Sequence, residues 1–201
     1  MAIAAGASAL GLVSAMPSGP GVIDDDQVAR IARAVPPGIA TFLLTALTEA
    51  DAIIEQHRHC RTNTLQLVDA VAPGTHQLLR QALPGIALVQ VIHVVSQANV
   101  DEALAIAPDV DALLLDSGNP SAAVKELGGT GRVHDWALSQ QIVNGTDKPV
   151  YLAGGLRADN VGEAIAAVRP FGLDLCSGVR VDGNLDQQRL DAFVQAVQLS
   201  R

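Results

Sequence analysis

Asp111-Ala-Leu-Leu-Leu-Asp116-Ser117-Gly118, Pro149-Val-Tyr-Leu-Ala-Gly154-Gly155-Leu156 and Leu173-Asp-Leu-Cys176-Ser177-Gly178-Val179 repeat one device three times. A short apolar run breaks, at its C-terminal end, into glycine and polar residues. Continuous Val/Leu/Ala runs that alternate with helices are what a parallel sheet covered on both faces requires. In such folds ligands meet the carboxyl ends of the strands. The three junctions are therefore the expected seat of function.

Outward from these runs, further strand-like stretches fall at Ala9–Ala15, Ile39–Ala46, Thr64–Val71 and Ala87–Val94, which with the first three makes seven strands. Helical spacing lies between most neighbours: Val28, Ile31 and Ala32 before Pro36; Ala103, Leu104 and Ala107 before Pro108; Val161, Ala164, Ile165 and Val168 before Pro170. The last helix carries Leu190, Phe193, Val194 and Val197, with Asn184 expected as its N-cap. A strand-then-helix unit repeated every 20 to 25 residues or so predicts an α/β fold, a (β/α) barrel of the TIM type. Seven of its eight strands are readable, and residues 1–201 are expected to form a single barrel domain.

The opening Met1-Ala-Ile-Ala-Ala-Gly6 reads as the tail of a helix running into the first strand. A strand precedes each helix in a βα repeat, so the element expected to be short is the front one. An open sheet exposes two pairing edges, and self-association or local rearrangement across that opening is expected.

Composition limits the partners. Hydrophobic residues are 49% and aromatics only 2%, so the core must be built from Ala, Val, Leu and Ile. A net charge of −8 repels nucleic-acid phosphates, so any anion site must be local. Cys60 and Cys176 have no CxxC spacing and follow no secretory leader, which predicts reduced thiols in a cytoplasmic protein. The N-terminal stretch has no basic residues and is too short to span a membrane, so no membrane partner is expected.

Several motifs bear chemistry. Gly128-Gly129-Thr130-Gly131 offers backbone amides able to wrap an anion. Gly154-Gly155 and Ser177-Gly178 end the next two strands, the positions of the frequent phosphate site of such barrels, and helix N-termini are expected after both. Asp116 ends an apolar run, where partial desolvation suits a carboxyl to proton transfer. Asp69 holds a similar place but reads as a cap. His57, His59 and Cys60 cluster without a clear fourth metal ligand and read as a solvated helix end, so no metal site is expected. His134 reads as exposed, Trp136 as packing the start of a helix, and Asp24-Asp-Asp26 as a helix N-terminus.

Leu113-Leu-Leu-Asp116, Gly128-Gly-Thr-Gly-Arg-Val-His-Asp-Trp136, Leu152-Ala-Gly-Gly-Leu156 with Asp159-Asn-Val161, and Cys176-Ser-Gly-Val179 together resemble phosphoribosylanthranilate isomerase. The resemblance runs from about Ala5 to the C-terminus and is most specific in the second half. It implies a cofactor-independent Amadori rearrangement of N-(5-phosphoribosyl)anthranilate in tryptophan biosynthesis, an aldose–ketose isomerisation. It also implies a cysteine on the first strand as the base that removes the ribose C2 proton, and an aspartate on the sixth strand as the acid that opens the furanose ring. Asp116 matches that acid.

This sequence departs from the pattern at four places. The Lys-Ile-Cys-Gly-Ile-Thr strand with the base has no counterpart in residues 1–201. The Ser-Pro-Arg segment, whose arginine pairs with the anthranilate carboxylate, appears as Gly19-Pro20-Gly21. The acidic residue after Ser-Gly-Val is Arg180, a candidate to supply the displaced positive charge to the substrate carboxylate. The histidine after Gln-Leu is Val68. Phosphate contacts are implied at Gly128, Gly129, Gly154, Gly155, Ser177 and Gly178. Alternatives that fit the same residues are an isomerase or binding protein for another sugar phosphate, and a noncatalytic phosphate-ligand-binding assembly protein.

Overall fold

A computed structural model describes residues 1–17, 21–118 and 135–200. Strands β1 (Ala9–Val13), β2 (Ala40–Thr45), β3 (Thr64–Leu67), β4 (Ala87–His93), β5 (Ala112–Asp116), β6 (Val150–Leu152) and β7 (Gly172–Leu173) lie side by side in chain order. Every neighbouring pair is parallel. Parallel neighbours need a crossover, and among the described residues each holds one α-helix: α1 (Asp25–Ala34), α2 (Ala50–Cys60), α3 (Thr75–Ala82), α4 (Gln97–Ile106), α5 (Trp136–Gly145) and α6 (Val161–Val168). The last helix, α7 (Gln187–Leu199), follows the seventh strand.

Side chains alternate across each strand. Leu43, Leu65, Leu67, Leu113, Leu115 and Leu152 point outward into a core shared with the helices. Phe42, Val68, Val89, Val91, Leu114 and Ala153 form a second cluster on the inner face. That face is curled. The rings of Phe42 on β2 and Tyr151 on β6 meet edge to face at 6.1 Å, although four strand spacings of about 4.8 Å would hold them about 19 Å apart on a flat sheet. The seven strands thus make most of a barrel wall.

β1 and β7 end the strand order and do not pair with each other. Between them a cavity of about 1020 Å³ opens into the interior, lined by Leu10, Leu12, Phe42, Tyr151, Leu173 and Phe193 among others. Before β1 the expected helix tail is a single 3-10 turn, Ile3–Ala5, closed by Gly6 at φ 98°.

Three local expectations change. Asn184 does not cap α7: Asn184–Leu185 (β9) pairs antiparallel with Arg180–Val181 (β8), and the Asp186 side chain accepts from Arg189 N at 2.9 Å instead. A hairpin therefore follows β7. Of the supposed solvated cluster only His59 is exposed, beside Asp26 at 2.7 Å. His57 is buried and donates from Nε2 to Thr62 O at 2.9 Å, and Cys60 is fully buried under α1. The helix end turns inward because Arg61 takes a left-handed cap at φ 57° that sends the chain straight into β3. Finally, α6 begins within a few residues of Gly155, but Ser177-Gly178 opens a 3-10 turn, Ser177–Val179, and not an α-helix. Asp24 does cap α1, accepting from Gln27 N at 2.6 Å. Trp136 opens α5 and packs on the main core.

Candidate active site

The C-terminal ends of β5, β6 and β7 converge on a small solvent-open cleft of about 30 Å³. Its lining includes Asp116, Gly154, Gly155, Asp174, Ser177 and Gly178. Five of these six are residues singled out from the sequence, and the fold brings them to one place. Gly128 and Gly129, with Gly131 and His134, lie outside the described residues.

The glycines are set by close approach. A β-carbon on Gly178 would lie 2.0 Å from the Leu156 carbonyl oxygen, so the two phosphate-type loops touch backbone to backbone. Gly154 and Gly155 have φ of 85° and 61°, and a β-carbon on Gly154 would press on Ser117 beyond β5. Asn160 ties the loop to the start of α6, donating from Nδ2 to Gly155 O at 3.0 Å while its Oδ1 accepts from Arg157 N at 2.8 Å. The result is a rigid bowl of backbone at the strand ends.

Asp116 is 7% exposed, and its Oδ1 accepts from Ser117 N at 2.7 Å. Asp174 was not singled out from the sequence, yet it lines both the cleft and the interior cavity. The residue as a whole is exposed, while protein atoms crowd its carboxyl at the end of β7. Desolvation, then repulsion from Asp116, push it up to about 6, against a backbone hydrogen bond at Leu175. The signal was present: a charged residue inside the apolar run Leu173-Asp-Leu175.

Cys176 also lines both spaces. Burial raises its thiol, and the neighbouring Arg180 guanidinium opposes that rise. Arg180 stands beside Gly21, the end of the segment that replaces Ser-Pro-Arg: a β-carbon on Gly21 would lie 3.5 Å from Arg180 Nη2. His93, on β4 in register with Asp116, is another residue the sequence reading passed over. It is buried, and its Nε2 lies 3.0 Å from Val68 O. A carbonyl only accepts, so Nε2 carries the proton, and Nδ1 has no hydrogen-bond partner among the described residues. Asp69 is a buried turn residue, its Oδ1 accepting from Ala70 N at 2.9 Å. Among the described residues no group of His, Cys, Asp and Glu could hold a metal ion.

Residues 11–196 match the family model for N-(5'-phosphoribosyl)anthranilate (PRA) isomerase. The chain belongs to the PRA isomerase family. It is 36% identical over 200 residues to the N-(5'-phosphoribosyl)anthranilate isomerase of Haloferax volcanii, covering 98% of this chain and 86% of that protein. With the enzyme of the same name from Methanocella arvoryzae it is 31% identical over 197 residues, covering 98% and 90%. Among solved structures, the PRA isomerase of Thermotoga maritima superposes with a TM-score of 0.80 at 26% identity, over 98% of this chain and 91% of that one. The Thermus thermophilus enzyme superposes with a TM-score of 0.82 at 24% identity, over 100% and 92%, a likeness of fold. A further PRA isomerase, solved with reduced 1-(o-carboxyphenylamino)-1-deoxyribulose 5-phosphate, gives a TM-score of 0.77 at 24% identity over 98% and 90%. The seven-stranded wall is therefore that of the family's TIM-type barrel.

Proposed function

We propose that this chain binds N-(5'-phosphoribosyl)anthranilate at the β5–β7 strand ends and isomerises it to the aminoketose, the tryptophan-biosynthetic reaction of its family. The observation that carries this reading is the single cleft in which Asp116 faces the two touching loops at Gly154-Gly155 and Ser177-Gly178. Backbone amides at glycine loops, with the N-terminus of α6 beside one of them, suit a phosphate. Gly128 and Gly129 complete that set in our reading.

Asp116 gives a proton to the furanose oxygen, which frees the C1–O bond to break and leaves an iminium at C1. Transfer of the C2 proton to water in the solvent-open cleft then forms the enaminol, which takes up a proton at C1 and tautomerises to the aminoketone. Asp174 shares the cleft, where desolvation and then the charge of Asp116 push its own carboxyl up to about 6.

Residues 1–201 act as one barrel domain in this reading, in the cytoplasm. No helix among the described residues is long and apolar enough to cross a membrane. Two sheet ends flanking an apolar opening support association of copies across β1 and β7. Light scattering over a dilution series checks this: association appears as a mass that falls on dilution, and a constant monomer mass rejects it.

Gly155→Asp tests the phosphate site. Aspartate tolerates the left-handed backbone that Gly155 adopts, so the fold persists while a carboxylate faces the anion. Calorimetric titration with inorganic phosphate should show binding to the wild type and none to the variant. Equal affinity for the two proteins places the phosphate elsewhere.

A further inference from the structure

Among the described residues that line the cleft or the cavity, Arg180 is the only lysine, arginine or histidine, while Asp116 and Asp174 supply two carboxyls. A substrate with a phosphate at one end and a carboxylate at the other meets amides for the first and, among those described residues, Arg180 for the second.

The guanidinium is held in place from two sides. Nη1 donates to Gly183 O at 2.6 Å, across the β8–β9 hairpin, and the guanidinium stands near enough to the Cys176 thiol to oppose the rise that burial causes there. Arg189 Nη1 donates to the Arg180 carbonyl at 3.0 Å, which fixes the backbone that carries it. Opposite stands Gly21, at φ 83°, with no side chain to compete for the space. A guanidinium has five N–H donors, so these bonds leave enough for a two-pronged grip on a carboxylate.

We infer that Arg180 is the carboxylate-recognition residue of this protein: from the hairpin after β7, across Gly21, it binds the anthranilate carboxylate and so sets specificity for an acidic aromatic amine. The inference rests on the PRA isomerase reading and deepens it. It places specificity on the β8–β9 hairpin, whereas the phosphate loops select only the sugar phosphate.

Two probes separate the claims: reduced 1-(o-carboxyphenylamino)-1-deoxyribulose 5-phosphate, and the same compound made from aniline, which lacks the carboxylate. Calorimetry on the wild type, Arg180→Gln and Arg180→Lys gives six dissociation constants, with circular dichroism confirming that each variant is folded. The wild type should bind the carboxylate compound about tenfold to a hundredfold more tightly than the aniline compound. Arg180→Gln should erase that preference while leaving the aniline compound unchanged, and Arg180→Lys should keep part of it. Equal affinity of the wild type for both compounds overturns the role of Arg180 and leaves the sugar-phosphate site standing. An equal loss for both compounds in Arg180→Gln also overturns it, because that pattern marks support of the hairpin alone. Binding of neither compound to the wild type overturns the PRA isomerase reading itself.

Discussion

Asp116 and Asp174 share one cleft at the strand ends, and the charge of Asp116 is part of what pushes the Asp174 carboxyl up to about 6. The two carboxyls stand at the ends of β5 and β7, on either side of β6, and the charge of Asp116 disfavours ionisation of Asp174. That pairing follows from the register: Leu115 lies opposite Leu152, which lies opposite Leu173, so the next inward positions on β5 and β7 face the same space.

A raised carboxyl pKa in the folded state has a definite sign. Between the unfolded value near 4 and about 6 the native protein holds more protons than the unfolded chain, so this group's contribution to stability is full below pH 4 and lost as pH rises through 6. Asp174→Asn removes that loss. The variant should be more stable than the wild type at pH 7 by about 1 kcal/mol, solvent screening through the opening being allowed for, and no more stable at pH 4. Urea unfolding at the two pH values checks it; an equal difference at both values rejects it.

Gly178→Ala drives a methyl group into the Leu156 carbonyl. The loops must part, at a cost of about 1–3 kcal/mol, and the phosphate bowl opens with them. Denaturant unfolding should show the loss of stability, and phosphate affinity should fall at least tenfold. A variant of wild-type affinity would mean that the loop contact does not shape the site.

The two thiols should differ in reactivity. Burial, then the charges of Asp25 and Asp26, push Cys60 up to about 12, and it has no exposed surface. Cys176 lines the cleft. Iodoacetamide at pH 8 should label Cys176 slowly and Cys60 only on unfolding, with inorganic phosphate protecting Cys176. Mass spectrometry of the digest reads this directly, and faster labelling of Cys60 contradicts the packing.

Much of this was legible in the sequence because apolar runs and glycine breaks report burial and strand ends directly. The seven runs fell on the seven strands, each somewhat longer than the paired segment, since chains bend into loops before their apolar character stops. Asp116, Gly154, Gly155, Ser177 and Gly178 were readable as strand-end residues, and they meet in one cleft. What escaped depends on three dimensions. Asp174 counts as a site residue only once the barrel curls, and the closeness of Arg180 to Gly21 spans most of the chain. Asn184 looked like a cap because a two-residue hairpin has no periodicity to announce it. His57 and Cys60 looked solvated because their neighbours are charged, although they sit on the inner side of α2.

The central claim is that Asp116 is the acid that opens the furanose ring in the β5–β7 cleft. It is tested most directly by turnover of N-(5'-phosphoribosyl)anthranilate at saturating concentration, followed by anthranilate fluorescence, for the wild type and Asp116→Asn side by side. The amide keeps the shape of the carboxyl and cannot deliver its proton. The wild type should convert the substrate and the variant should show a kcat lower by about 10²–10⁴-fold, with affinity for the reduced product analogue within about threefold. Equal turnover by the two proteins, or loss of binding together with turnover, would contradict it.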